Sequence, residues 1–206
     1  MSGLHSQGQA PRMPRWVFVP LALFVGLLVF LAVSLNRSPH EIPSPLIGRP
    51  APAFQLPVVG RTDVFSAAQF KGQVTLVNFW ATWCAGCKEE HPMLMALSRQ
   101  PGLQMVGFNY KELQASELSG QDPKKNVQAL QTATARHQAW LQKHGQPFAV
   151  NLLDMDGRVG MDFGVYGLPE TYLVDREGVV RFKHAGALTP EVLQHKLLPL
   201  MRRLQP

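Results

Sequence analysis

Two side chains in this sequence can do thiol chemistry, Cys84 and Cys87, and they are its only cysteines. Ala85 and Gly86 separate them. A dithiol at this spacing can close to a disulfide and reopen, so the chemistry it points to is two-electron thiol–disulfide exchange. Other chemistries fit less well. A zinc site needs about four ligands, and Cys84, Cys87 and His91 supply at most three, so no metal is expected. Covalent haem attachment needs a histidine directly after the second cysteine, where this chain has Lys88. An inert structural disulfide would close a very short loop and gain little chain entropy. Exchange between Cys84 and Cys87 needs no cofactor.

The elements that must hold the pair are legible around it. Residues 74–80 (Val-Thr-Leu-Val-Asn-Phe-Trp) are β-branched and aromatic enough for a buried strand. Residues 88–100 carry Met93, Leu94, Ala96 and Leu97 at helical spacing. The cysteines therefore fall on a strand-to-helix turn, with Cys84 at or near the helix N-terminus, where free backbone N–H groups and the helix dipole favour a thiolate.

The N-terminal part has a different character. Residues 1–15 are polar and read as an unstructured tail. Residues 16–35 are uncharged and almost wholly apolar, long enough as a helix to span about 30 Å of hydrocarbon. A cleaved signal peptide would have a shorter apolar region ending in small residues; Ala32, Val33 and Ser34 make a passable cleavage site, but the length favours an uncleaved anchor. No cysteine directly follows the run for lipid attachment. Arg12, Arg15 and the amine precede the run and Arg37 and Glu41 follow it, so the positive-inside rule keeps the short N-terminus in the cytoplasm and puts the dithiol domain outside, in a bacterial periplasm or an equivalent oxidising space. Residues 36–52, with five prolines, read as an extended linker, and residues 53–206 as one domain. The net charge of +6 falls to +3 beyond residue 37, without a basic stripe interleaved with aromatics, which argues against a nucleic-acid partner.

Within the domain, residues 53–57 and 62–65 read as short edge strands. Ser66 caps a helical turn that reaches Phe70. A second buried strand is expected over 103–109, a loop over 111–124, and a helix over 125–144 whose apolar positions include Val127, Leu130, Trp140 and Leu141. A third strand is expected over 148–152, a short helix over 159–163, a hairpin over 171–175 and 179–183, and a last helix capped by Thr189 with Pro190 in its first turn. This order makes an α/β sandwich with the cysteines at the C-terminal edge of a sheet, where open α/β sheets place their sites.

With the CxxC motif and a later Pro169, the order resembles the thioredoxin fold: a central mixed sheet flanked by helices, here with an N-terminal β-hairpin extension and a single N-terminal transmembrane helix. Four stretches narrow the likeness: Phe79-Trp80-Ala81-Thr82-Trp83-Cys84-x-x-Cys87-x-x-Glu90-His91, Asn109-Tyr110-Lys111, Asp156-Gly157-Arg158, and Gly164-Val165-Tyr166-Gly167-x-Pro169-Glu170-Thr171. Together they resemble the DsbE (CcmG) family of thiol:disulfide interchange proteins of cytochrome c biogenesis. Two departures stand out, a longer segment at residues 112–138 and the Ala85-Gly86 pair between the cysteines.

The resemblance implies a periplasmic reductant for the disulfides between the haem-attachment cysteines of apocytochrome c, working beside the haem-ligation machinery and re-reduced by an inner-membrane thiol transporter of the DsbD or CcdA type. It implies a cis Leu168–Pro169 bond facing the cysteines, leaving the Leu168 backbone free to pair with a substrate peptide. Cys84 is then the nucleophile and Cys87 the resolving thiol. Glu90, three residues beyond Cys87, is a proton-relay candidate, and Glu170 a second carboxylate that would make the site acidic with it. Trp83 and Tyr166 are groove candidates. Asp162 is a weak one, His91 reads as a helix-surface residue, and Lys88 as surface. A general periplasmic reductase or isomerase of the thioredoxin or TlpA type, and an adaptor that holds apocytochrome without turnover, remain alternatives.

Overall fold

A computed structural model describes residue 16 and residues 18–35, 44–113 and 123–205. The expected tail at 1–15, the first part of the linker at 36–43 and residues 114–122 of the 112–138 segment lie outside the described residues. The chain divides into two units, residues 1–40 and 41–206. In the first, α1 (Phe18–Leu35) is an uncharged helix of 18 residues, about 27 Å long against a hydrocarbon core of about 30 Å. Among the described residues, no helix is long and apolar enough to cross a membrane.

The second unit is built on a mixed five-stranded sheet in the order β5-β4-β3-β6-β7. Its strands are β3 (Val74–Trp80), β4 (Leu103–Tyr110), β5 (Val150–Asp154), β6 (Glu170–Val174) and β7 (Val180–Ala185). β3 runs parallel to β4, and β4 to β5; β6 is antiparallel to both β3 and β7. β3 lies at the centre and all seven of its residues are buried, as its β-branched and aromatic composition leads one to expect.

The strand period of two sorts side chains between two faces. Leu76 and Trp80 meet α2 (Ala85–Leu97), α3 (Pro123–His144) and the C-terminal helices on one face. Val77 and Phe79 meet the β1–β2 hairpin (Gln55–Pro57, Val64–Ser66), a 3-10 turn (Ala67–Phe70) and α4 (Arg158–Asp162) on the other. The C-terminal helix is α5 (Pro190–Val192), a π-helical turn (Leu193–Leu197) and α6 (Leu198–Leu204), entered through the Thr189 hydroxyl, which accepts the Val192 N–H at 3.2 Å.

Three elements differ from their sequence reading. Residues 44–52 of the expected linker are tied to the domain: Gly48 and Ala51 donate to the carbonyls of Val180 and Gly178, and Arg49 accepts from Val180, so the unpaired edge beside β7 recruits them. The third strand starts two residues late, because Phe148 is a core plug; its ring lies 2.7 Å from where a Cβ on Gly107 would stand. In α3 the inward face is not Val127 and Leu130, which are exposed, but Ala129, Ala133, His137 and Leu141, a row at a spacing of four that brings one side of the helix onto the sheet.

Candidate active site

β3 ends at Trp80, the chain turns, and α2 begins at Ala85 with Cys84 as its N-cap. The Cys84 Sγ accepts the Cys87 N–H at 3.1 Å, filling one of the orphan donors of the first turn. The two sulfurs are joined in a disulfide with an S–S distance of 2.08 Å. Both cysteines are buried, Cys84 7% exposed and Cys87 2%.

The Leu168–Pro169 bond is cis. Pro169 packs against the cysteine turn: a Cβ on Gly86 would stand 3.2 Å from Pro169 Cδ. Glycine between the cysteines thus allows the close approach of two segments far apart in sequence. Trp83 and Tyr166 are large and exposed, Leu168 is half-buried, and Pro169 is buried. The closed disulfide therefore has exposed aromatic rings on the two segments that frame it.

This constellation has known counterparts. A family model described as AhpC/TSA matches residues 47–183. The thiol:disulfide interchange protein DsbE of Allochromatium vinosum is 37% identical over 188 residues, 91% of this chain and 93% of that one. DsbE of Yersinia pestis is 40% identical over 200 residues, 93% of this chain and 94% of that one. The chain belongs to the DsbE family. A crystal structure from Chlorobium tepidum, described as a DsbE-type thiol:disulfide interchange protein, superposes with a TM-score of 0.57 at 26% identity, covering 80% of this chain and all of that one. The chain is accordingly a thiol:disulfide oxidoreductase on a thioredoxin-like fold, as the resemblance in its motifs implies.

On α2, three residues beyond Cys87 of the DsbE-type pair, lies a buried carboxyl. Glu90 is 1% exposed. Its Oε1 accepts from Asn78 Nδ2 at 2.9 Å and its Oε2 from the Leu188 N–H at 2.8 Å. Asn78 also donates to Thr171 Oγ1 at 3.1 Å, its partner across the β3–β6 ladder. Burial pushes the Glu90 carboxyl up to about 7 against the opposing pull of the Leu188 N–H and Asn78. A carboxyl titrating there can hold or release a proton near neutral pH.

Glu170 has a different place from the one expected for it. Register sets it opposite Phe79 rather than Asn78, so it faces the aromatic side of the sheet, while Glu90 reaches from α2 to Asn78 on the other face. It is fully buried and paired with Lys183 at 3.0 Å. It accepts the Tyr166 N–H at 3.0 Å and the Tyr172 hydroxyl at 2.8 Å. Burial, and then the Glu170 charge, keep the Tyr172 phenol well above its ordinary range. The two carboxylates do not form one acidic site; Glu170 fastens the segment that carries Tyr166 and Pro169.

His91 is likewise not on the surface. It is 5% exposed, its Nε2 lies 3.1 Å from the Gly145 carbonyl, and its ring meets Trp140 edge-on. Burial pushes its pKa down, against the Gly145 carbonyl. Asp162 and Lys88 are exposed. Two residues near the site escaped the sequence reading. Asn78 was detectable: alternation along 74–80 puts it with Leu76 and Trp80, facing the helix that carries Glu90. Glu112, buried against the cysteine loop, gave no local signal, because its partner Thr82 is 30 residues away.

Proposed function

We propose that this DsbE-family oxidoreductase works as a reductant outside the inner membrane, opening the disulfide between the haem-attachment cysteines of apocytochrome c so that haem can be ligated. The observation that carries the reading is the Cys84–Cys87 pair at the α2 N-terminus, flanked by Pro169 and backed by a buried carboxyl titrating near 7.

In the reduced protein Cys84, the N-cap of α2 and the more exposed of the two residues, attacks as thiolate. Its sulfur bonds to one substrate sulfur, and the other substrate sulfur leaves as thiolate. Cys87 loses its proton, for which Glu90, one helical turn further along α2, is the acceptor. It attacks Cys84 Sγ, the mixed disulfide breaks, and the substrate departs with both thiols reduced. Trp83, Tyr166 and Leu168 hold the peptide, with the Leu168 backbone pairing along it and Pro169 keeping that segment against Cys84. A membrane thiol transporter of the DsbD or CcdA type returns the two electrons. The uncharged run 16–35, exposed on every described side chain of α1, serves as the anchor, with the short N-terminus cytoplasmic and the domain periplasmic.

Replacing the resolving thiol tests this reading. Cys87→Ser should accumulate a mixed disulfide through Cys84 whose trapped partners contain Cys-x-x-Cys-His, and the potential of the pair should be far below the roughly −120 mV of a strong oxidant. A partner that binds Cys87→Ser as it binds wild type, with no covalent complex, would instead fit a holding adaptor. A potential near that of the oxidant would sink the reductant reading.

A further inference from the structure

Residues 112–138 begin with a side chain that the exchange mechanism does not use. Glu112 is 2% exposed. Its Oε2 accepts the Thr82 N–H at 3.2 Å and Asn109 Nδ2 at 2.8 Å, and its Oε1 accepts the Thr82 hydroxyl. Among the described residues no cation pairs with it. A buried carboxylate held only by hydrogen bonds is costly unless each of its acceptor sites is filled, so the fit between Glu112 and the Thr82 loop is tightly specified.

A second tie runs beside the first. Trp83 Nε1 donates to the Lys111 carbonyl at 3.1 Å. Lys111 has φ 47°, the one positive φ outside glycine among the described residues. A left-handed conformation is unfavourable for a non-glycine residue, and such strain persists only where the surroundings over-determine it. Lys111 and Glu112 thus reach from the end of β4 to the two residues just before Cys84, one holding the Trp83 indole and the other the Thr82 backbone.

We propose that Glu112 is a positioning residue for the substrate groove: by fixing Thr82, it sets Trp83 as a wall beside Cys84 for the peptide that carries the disulfide. The proposal rests on the exchange reading of the Cys84–Cys87 site. It assigns the start of the 112–138 segment to substrate recognition and leaves the electron transfer to the cysteines.

The test uses the full chain and a disulfide-bonded Cys-x-x-Cys peptide. Glu112→Ala should raise KM for the peptide about tenfold with a much smaller change in kcat, as displacement of a positioning group does. Glu112→Gln should stay within about twofold of wild type, because its carbonyl, in the place of Oε2, can still accept the Thr82 N–H and Asn109 Nδ2, while its amide, in the place of Oε1, can donate to the Thr82 hydroxyl oxygen. Combined with Trp83→Ala, Glu112→Ala should add almost nothing further to KM. Acrylamide quenching, read as the difference between each protein and its Trp83→Phe counterpart, should report a changed Trp83 environment in Glu112→Ala.

An unchanged KM in Glu112→Ala, or Glu112→Gln as impaired as Glu112→Ala, would overturn the proposal. If wild type reduces no peptide, the exchange reading fails instead, and quenching alone decides: unaltered Trp83 accessibility in Glu112→Ala then rejects the positioning role.

Discussion

The two faces of the sheet are both buried, yet they are built from different materials. On the face toward α4, Phe54, Phe65, Phe70, Phe79, Phe108, Phe163 and Tyr172 interlock ring on ring, with Phe79 and Phe108 centroids 4.8 Å apart. Of its two buried carboxyls, Glu170 is paired with Lys183 and Asp154 accepts the Val159 and Gly160 N–H groups of α4. On the face toward α2 and α3, Asn78, Glu90, His137 and Thr171 lie among the aliphatic residues. The buried side-chain nitrogen and oxygen atoms without a hydrogen-bond partner among the described residues all lie here, on Asn78, Trp80, Asn109, His137 and Asn151. One face is packed for stability; the other keeps titratable and polar groups next to a disulfide that must open and close.

Removing a ring from the stable face should have the largest effect. Phe79→Ala takes a fully buried ring away from Phe108, Phe163 and Tyr172 and should cost about 3–5 kcal/mol. Chemical denaturation should record the loss, while the potential of the Cys84–Cys87 pair stays close to wild type. A large shift of potential would mean that the faces are not separable. Next comes Lys183→Met. It strips Glu170 of its cation and the Gly164 carbonyl of its 2.8 Å donor, leaving a buried charge uncompensated at a cost of about 3 kcal/mol. Because Glu170 also holds the Tyr166 N–H, peptide reduction should weaken along with stability, unlike in Phe79→Ala.

The polar face should reveal itself in the pH dependence of stability. Glu90 is raised from 4.5 to about 7, so between those values the folded state keeps a proton that the unfolded state has lost, and stability falls as pH rises. His137 is lowered from 6.5 to about 4, burial outweighing Asn151. Over that window the unfolded state binds the proton and the folded state does not, so stability rises with pH. From 4.5 to 6.5 the two trends oppose each other. Glu90→Gln should remove one of them and leave a profile that climbs by about 2–3 kcal/mol over that interval. His137→Gln should give a profile that falls instead. Urea midpoints of the oxidised proteins measured across pH 4–7 would check both; parallel profiles for wild type and Glu90→Gln would contradict the shifted carboxyl.

How much of this was legible follows from how local each signal is. The strand, turn and helix around Cys84 and Cys87 declare themselves within about 25 residues, by period and by the cysteine pair. The hairpin of β6 and β7 and the Thr189 cap are equally local. What escaped depends on pairing across the chain. Glu170 looked like a partner for Glu90 because both stand near motif residues; only the register Phe79↔Glu170 sends it to the opposite face. His91 looked exposed because the loop after α3 that supplies the Gly145 carbonyl is 54 residues away. Phe148 read as strand because an apolar plug and an apolar strand residue are the same letter. Along α3, Ala129 and Ala133 were passed over for Val127 and Leu130, since a hydrophobicity scan favours large residues where close packing here selects small ones.

The smallest expected effect lies at the edge of the polar face, in the glycine between the cysteines. Gly86→Ala places a methyl 3.2 Å from Pro169 Cδ and 3.9 Å from the Ala187 Cβ, a contact that a few tenths of an ångström of movement relieves. Gly86 sits in the first turn of α2 with ordinary φ, so alanine gains about 0.5–1 kcal/mol of helix propensity against that contact, and net stability should change by less than about 1 kcal/mol. The movement, however, falls on the proline that flanks the disulfide. Mixed-disulfide formation with a peptide, followed in the Cys87→Ser background, should slow several-fold, on the order of 1 kcal/mol in the barrier, while the denaturation midpoint hardly moves. Gly107→Ala on the same face supplies the contrast: its methyl would meet the Phe148 ring at 2.7 Å, within the core, and should cost about 1–3 kcal/mol of stability without touching exchange. If both glycine variants change stability and neither changes exchange, Pro169 does not need its present seat against the cysteine turn.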